Sequence, residues 1–357
     1  MPRVEDVLRQ WGGEFALTAY DEPSGAYMFI AIHSTRLGPG AGGTRMKTYA
    51  TPADGLLDAM RLAEAMTLKM AVAGLPMGGG KSVLAVPGEL DPDTRRNLLL
   101  RHAHNVHMLG GNYRTGPDMN TNSADMDTLC EVTPWAFGRS VDNGGSGSSA
   151  PDTAVGVFHG IVASVGHAYG SEDLAGKRVL VQGVGAVGEP LVEMLVKAGA
   201  HVIVSDVTLD RVESLYDRLG VEVVAPASVL DTECDVYAPC ATGGVIGPED
   251  IPRLRCRIVA GAANNPLSQR SDGELLREAG ILYAPDFVIN GGGAIHLIGY
   301  EALGWSQQEV ERGLVGIGTT LSRIYADADA AGISTEEAAE RLAAARLAEG
   351  RRGPAPA

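Results

Sequence analysis

One stretch constrains the fold of this chain more than any other: KRVLVQG (177–183), GVGAVG (183–188) and HVIVSD (201–206), in that order and close together. The first reads as a short buried strand, the second as a GxGxxG turn, and residues 189–197 as a helix closed by Gly199. Strand, helix and strand in such quick succession form a βαβ unit, and such units build parallel sheets. Gly183 permits a tight turn, Gly185 lets backbone approach a pyrophosphate, and Gly188 lets helix pack on strand. The helix start offers free N–H groups and a positive dipole to phosphate. Asp206 ends the second strand, 18 residues beyond Gly188. A carboxylate there accepts from ribose hydroxyls and repels a 2′-phosphate, so the pattern predicts NAD rather than NADP. The expected cofactor contacts are Gly183, Gly185, Ala186, Val187, Gly188 and Asp206. A glycine turn in a nucleotide-free domain is the plainer alternative, and the flanking strand, helix and aspartate weigh against it.

A chain of 357 residues exceeds one ordinary core. The reading is an α/β protein of two domains with a cleft between them. An N-terminal α/β domain over 1–147 binds substrate, with 322–357 packing back on it, and a doubly wound, Rossmann-type domain over 148–321 binds NAD. The segment DNGGSGSS (142–149) reads as the hinge. Upstream, residues 15–20 and 27–34 read as strands joined by DEPSG. Thr51, Pro52 and Asp54 mark a helix start, and Leu56, Met60, Ala63 and Met70 give its apolar stripe, with Lys69 at its end. A second helix is expected over 92–109. Later apolar runs at CDVYAPC, CRIVAGAANN and GILYAPDFVINGGG continue the strand rhythm, and a helix pair over 306–347 closes the ordered chain.

Several functions are disfavoured. A formal charge of −15 argues against nucleic acid or anionic lipid as partner. No apolar run is long enough to span a membrane, and the start lacks a signal-peptide core, so a cytoplasmic protein is expected. Arg351 and Arg352 lie in a tail that reads as disordered. Cys130, Cys234, Cys240 and Cys256 form no CxxC, and His102, His104 and His107 lack an HExxH frame, so no metal is expected. GGGKS invites a P-loop reading, but Leu75 stands where that motif needs glycine, and a strand follows instead of a helix.

The first domain also holds candidate chemistry. Lys81 follows three glycines, and Lys69, Lys81 and Asp118 lie in segments that could converge. A lysine in a poorly solvated pocket loses proton affinity and can serve as a base, while another can hold a carboxylate. Most lysines, however, are solvated surface groups.

AMTLKMAVAGLPMGGGKSVL, TGPDMNTNSADMDTL, GVGAVG and GAANN occur in order, and with them the chain resembles the glutamate/leucine/phenylalanine/valine dehydrogenase family over about 15–305. The resemblance implies reversible oxidative deamination of an L-amino acid to a 2-oxo acid and ammonia, in a homo-oligomer. It implies that Lys69 pairs with the substrate α-carboxylate, helped by Gly42, Gly43 and Asn264. It implies that Lys81 activates water and that Asp118 moves protons to and from the substrate nitrogen. Thr153 and Asn290 are implied at the nicotinamide carboxamide, and Ser149 and Ala241 are further cofactor-binding candidates.

Ala41, Met66, Ala294 and Leu297 are the expected side-chain pocket. Glutamate-specific members place a lysine at the position of Ala41 and a serine near Leu297. A glutamate side chain buried here would be unpaired, at a cost of several kcal/mol. An apolar substrate is therefore expected. The small Ala41, where leucine and valine enzymes usually carry leucine, puts phenylalanine first and leucine or valine behind it. The GPDMNTN and GGGKSVL segments likewise resemble phenylalanine dehydrogenases more closely.

Overall fold

A computed structural model describes residues 4–350, with side chains from Val7 onward; Arg351, Arg352 and the GPAPA tail lie outside the described residues. The chain divides into two compact units, one of 1–148, 297–305 and 343–357, the other of 149–296 and 306–342.

The first unit begins with α1 (Val4–Trp11), β1 (Phe15–Asp21), β2 (Ala26–Ser34), β3 (Gly40–Ala41) and β4 (Thr44–Lys47). It continues with α2 (Pro52–Ala73), β5 (Gly78–Ala85), α3 (Pro92–Met108), β6 (Tyr113–Arg114) and α4 (Ser123–Cys130). Thr51 caps α2 through a reciprocal box with Asp54, and Gly74 ends it in the left-handed conformation, an arrangement that stabilises a helix by about 1 kcal/mol. The sheet is mixed, in the order β1-β2-β5-β3-β6, with β4 also paired to β5. Only β1–β2 and β2–β5 are antiparallel.

Strand alternation gives this sheet two different faces. Val83 and Ala85 pack with Phe29, Ala31 and the α2 residues Ala59, Met60 and Ala63. Leu84 and Val86 pack with Met28, Met46 and the α3 residues Leu98, Leu99 and Ala103. The GGGKS segment lies inside strand β5, and its glycines serve packing. A Cβ on Gly79 would sit 2.1 Å from Thr67 Oγ1 and 2.4 Å from Ala63 O, so only glycine lets α2 close on the strand.

The second unit holds α5 (Ala150–Tyr169), β7 (Arg178–Gln182), α6 (Gly188–Lys197), β8 (His201–Ser205), α7 (Leu209–Leu219) and β9 (Glu222–Val223). β10 (Val236–Pro239), β11 (Ile258–Val259), α8 (Asp272–Glu278), β12 (Leu282–Tyr283) and α9 (Asp286–Ile289) follow. α10 (Gly292–Leu303) is shared between the units, and α11 (Gln307–Ala331) and α12 (Thr335–Glu349) close the chain. Its sheet is wholly parallel, in the order β9-β8-β7-β10-β11-β12. That is the 3-2-1-4-5-6 order of a Rossmann domain, with its switch point between β7 and β10.

Three expectations change. Patterning gives no helix over 150–169, yet α5 spans it. Glycine is a poor helix former, but Gly156 and Gly160 clear the way for Ile317 and Leu321 of α11. The run GILYAPDFVINGGG is strand only at 282–283 and then turns helical. The return of the C-terminus to the first unit is narrower than 322–357: residues 306–342 belong to the second unit, and Arg346 of α12 donates to the carbonyls of Ala71 and Val72. Among the described residues, no helix is long and apolar enough to cross a membrane, and no cluster of three His, Cys, Asp or Glu could hold a metal.

Candidate active site

Lys81 shares its strand parity with Val83 and Ala85, so its side chain belongs to the α2 face of the sheet. It is only 4% exposed. A buried ammonium needs a counter-charge, and Lys81 Nζ donates to Asp118 Oδ2. Asp118 reaches it from the loop after β6, where Oδ1 also accepts from Met119 N at 2.7 Å and the Asp118 N–H donates to Thr121 Oγ1 at 2.9 Å. Arg45 of β4, also on the α2 face, donates through Nε to Asp118 Oδ1 at 2.9 Å and through Nη1 to Asp58 Oδ2 at 3.1 Å. Tyr49 and Arg61 donate to Asp58 as well. Burial alone would raise the Asp118 pKa. Lys81 and Arg45 outweigh that and hold it well below the usual carboxylate range.

The backbone of Gly42 and Gly43 runs through the same place. A Cβ on Gly42 would lie 1.9 Å from Gly80 O and 3.2 Å from Met66 Cγ, and one on Gly43 would lie 2.9 Å from Asp118 Cβ. The first unit thus brings together Gly42, Gly43, Met66, Lys81 and Asp118. Lys69, half-buried, sits three residues past Met66 on α2. Leu297 reaches the same neighbourhood: a Cβ on Gly138 would meet Pro117 Cδ at 2.6 Å and Leu297 Cδ2 at 3.6 Å. Ala41 pairs with Gly79 and Arg114 inside the sheet and is 2% exposed.

On its opposite face β5 carries a buried hydroxyl network. Ser82 Oγ lies 2.7 Å from Thr44 Oγ1 and 3.1 Å from His102 Nε2, and Tyr113 donates to the Gly42 carbonyl at 2.6 Å. His102 is fully buried, which pushes its pKa down to about 4 and keeps the ring neutral.

In the second unit Gly183 has φ +94°, a left-handed conformation that favours glycine. A Cβ there would sit 2.7 Å from Ala241 Cβ, and one on Gly188 would sit 1.9 Å from Gly183 O. At Gly185 the nearest atom would be Arg211 Nη1 at 3.6 Å, which leaves that backbone open to approach. Ala186 is exposed and Val187 half-buried. Asp206 takes the Val184 N–H on Oδ2 at 2.9 Å and the Thr208 N–H on Oδ1 at 2.8 Å. Its modest burial raises its pKa less than these bonds and Arg211 lower it, so it stays ionised. Further along, Asn290 Nδ2 donates to Asn264 Oδ1 at 2.9 Å, while the buried Oδ1 of Asn290 accepts no hydrogen bond. Thr153 Oγ1 and Ser149 Oγ lie 3.0 and 3.4 Å from where a Cβ on Gly293 would be, beside Ala294. A cradle that any side chain would fill, an ionised aspartate at the next strand end and an orphaned acceptor suited to a carboxamide together fit a nicotinamide dinucleotide.

Sequence reasoning passes over Arg45 and Asp58. A signal existed for each: Arg45 lies two residues past the glycine pair, and Asp58 lies eleven residues before Lys69 on α2. Eleven residues are close to three helical turns, which returns a side chain to the same face.

Residues 21–134 match the dimerisation domain of Glu/Leu/Phe/Val dehydrogenases, and residues 207–353 match the Glutamate/Leucine/Phenylalanine/Valine dehydrogenase domain. The leucine dehydrogenase of Thermoactinomyces intermedius is 39% identical, over 97% of this chain and 93% of its own length. The valine dehydrogenase of Streptomyces albus is 42% identical, over 96% and 94%. The crystal structure of L-tryptophan dehydrogenase from Nostoc punctiforme superposes with a TM-score of 0.85 at 34% identity, covering 97% of this chain and 99% of that one. This chain belongs to the glutamate/leucine/phenylalanine/valine dehydrogenase family and is an NAD-dependent amino-acid dehydrogenase.

Proposed function

We propose that the protein catalyses reversible oxidative deamination of an apolar branched-chain L-amino acid, leucine or valine, to its 2-oxo acid and ammonia. The observation that carries the substrate choice is the near full-length similarity, at 38–42% identity, to relatives named leucine or valine dehydrogenase. Phenylalanine, expected first from the small Ala41, moves behind them. Ala41 lies within the sheet and is 2% exposed, so the absence of a larger side chain there is weak support for a ring-sized space. Glutamate remains disfavoured on physical grounds, since neither Ala41, Ala294 nor Leu297 carries a charge to meet its distal carboxylate.

Lys69 holds the substrate carboxylate, with the Gly42-Gly43 backbone and the Asn264 amide as further donors to it. Asp118 faces the substrate ammonium and takes a proton from it, leaving the amine neutral. Bound NAD supplies the hydride acceptor at the substrate α-carbon. Lys81, once neutral, accepts a proton from the water that adds to the resulting imino acid. Asp118 then returns its proton to the nitrogen; the C–N bond breaks as the hydroxyl oxygen forms the carbonyl, and the hydroxyl proton passes through Asp118 to the departing ammonia. On the cofactor side, Asp206 receives ribose hydroxyls, the glycine backbone from Gly183 to Gly188, with Ala186 and Val187, faces the pyrophosphate, Thr153 and Asn290 hold the nicotinamide end, and Ser149 and Ala241 are further cofactor contacts. A homo-oligomer fits the match to a dimerisation domain over 21–134.

The test is a substrate panel with NAD at alkaline pH, read as NADH absorbance. Leucine or valine should give the highest kcat/KM, with phenylalanine lower by about 10–200-fold, the range that pocket shape commonly supplies. Glutamate should not react. A glutamate preference overturns the pocket argument, a phenylalanine preference overturns the branched-chain assignment, and no turnover with any apolar amino acid overturns the enzyme reading.

A further inference from the structure

The charged cluster around the buried Lys81 is larger than a lysine–aspartate pair. Its order is Lys81, Asp118, Arg45, Asp58, with Tyr49 and Arg61 on the outer aspartate. Each member comes from a different segment: β5, the loop after β6, β4 and α2. Arg45 is the joint, since one guanidinium edge holds Asp118 and another atom of the same plane holds Asp58. Arg45 is 17% exposed at its side chain and Asp58 15%, so neither is a solvated surface group. A planar guanidinium can hold two carboxylates in fixed directions, which an ammonium cannot do.

We propose that Arg45 is a positioning residue for the reaction: anchored by Asp58, it fixes the direction in which Asp118 presents its carboxylate and keeps that carboxylate available to the substrate nitrogen. This rests on the dehydrogenase reading of the site. Without Arg45 the Asp118 side chain would keep Lys81, Met119 N and the Thr121 contact of its own backbone, but nothing would tie it to α2. Among the charged or titratable groups around Asp118 are Lys81 from β5 and Arg45 from β4, both bonded to its carboxylate, and the more distant Tyr113 phenol from β6, with Tyr49 and Asp58 one step beyond. Arg45 is the outer of the two cations in that set. Its removal lets neighbouring groups hold their protons to higher pH.

The experiment compares wild type with Arg45→Met, Arg45→Lys and Asp58→Asn on the best substrate of the panel. NADH binding, followed by fluorescence, and circular dichroism report folding. Arg45→Met should lower kcat by about tenfold or more, a loss typical of misplaced groups. It should also move the acid limb of the kcat/KM profile up by about one pH unit. Arg45→Lys keeps the charge but loses the two-way grip, so its limb should stay near wild type while kcat remains reduced. Asp58→Asn removes an anion, so its limb should move the other way, with a smaller loss of kcat. An Arg45→Met enzyme that binds NADH and keeps both the wild-type limb and kcat overturns the proposal. Should Arg45→Met fail to fold, an unchanged kcat in both Arg45→Lys and Asp58→Asn would overturn it equally. Inactive wild type is the separate outcome that fails the dehydrogenase reading itself.

Discussion

The two units build their candidate sites by different means. In the first, side chains do the work: Lys81 is 4% exposed, and its charge is tolerable because Asp118, itself held by Arg45, accompanies it. In the second, backbone does most of it. The glycine loop has no room for a Cβ at Gly183 or Gly188, and each Asp206 oxygen is oriented by one backbone N–H. The difference teaches where each unit is vulnerable. A charge network fails when one member is removed, since the remaining charge stays buried and unpaired, at a cost of about 3–5 kcal/mol. A backbone cradle tolerates most side-chain changes nearby and fails only where a Cβ has no space.

The sharpest way to test this contrast is to break each half separately. Lys81→Ala should reduce turnover by three orders of magnitude or more in single-turnover kinetics, as expected for a group that moves a proton in the reaction. NADH should still bind, because the glycine loop belongs to the other unit. Near-normal rates would make Lys81 a structural residue. Gly188→Ala should do the reverse. Its methyl would lie 1.9 Å from the Gly183 carbonyl, so the α6 start must shift. NADH affinity should fall by at least about tenfold, roughly 1.4 kcal/mol, as read by fluorescence titration. A variant that bound NADH normally would show the loop to be looser than its geometry.

A smaller effect separates the units by pH. His102 in the first unit stays neutral down to about pH 4, whereas an unfolded histidine takes up its proton near 6.5. Stability is therefore intact above 6.5 and lost as pH falls from 6.5 towards 4, by up to about 3 kcal/mol. Glu336 in the second unit behaves oppositely. Burial, with Asp286 and Glu340 nearby and only partial relief from Arg270, pushes its pKa up to about 8. The unfolded carboxyl ionises near 4.3, so this contribution is complete below that pH and declines as pH rises towards 8. Urea unfolding should show that Glu336→Gln stabilises the protein at pH 8 by about 1–3 kcal/mol, and that His102→Gln removes part of the acid sensitivity. Matching pH profiles for both variants and wild type would contradict the assignment of opposite weak points.

Much of this was legible in the sequence where the information is local. The strand, the glycine turn, the following helix and Asp206 sit within about thirty consecutive residues, and each glycine there answers to backbone sterics. The start of α2 was equally plain, because Thr51, Pro52 and Asp54 are capping residues whose chemistry needs only their neighbours. Helix α5 was not legible. Its glycines look like helix weakeners until Ile317 and Leu321 of α11, more than 150 residues away, are seen to need the space.

The reactive group shows the same division. Residue type left Lys69, Lys81 and Asp118 only as candidates, and the order of motifs around them, with three glycines before Lys81, singled them out. That those glycines serve helix packing, that Lys81 shares the α2 face with Arg45, and that Asp118 sits between two cations emerges only in three dimensions. The reason is strand parity. Which face a side chain takes is fixed by which neighbours of the sheet bury their apolar residues together, and those neighbours are drawn from segments far apart in the chain.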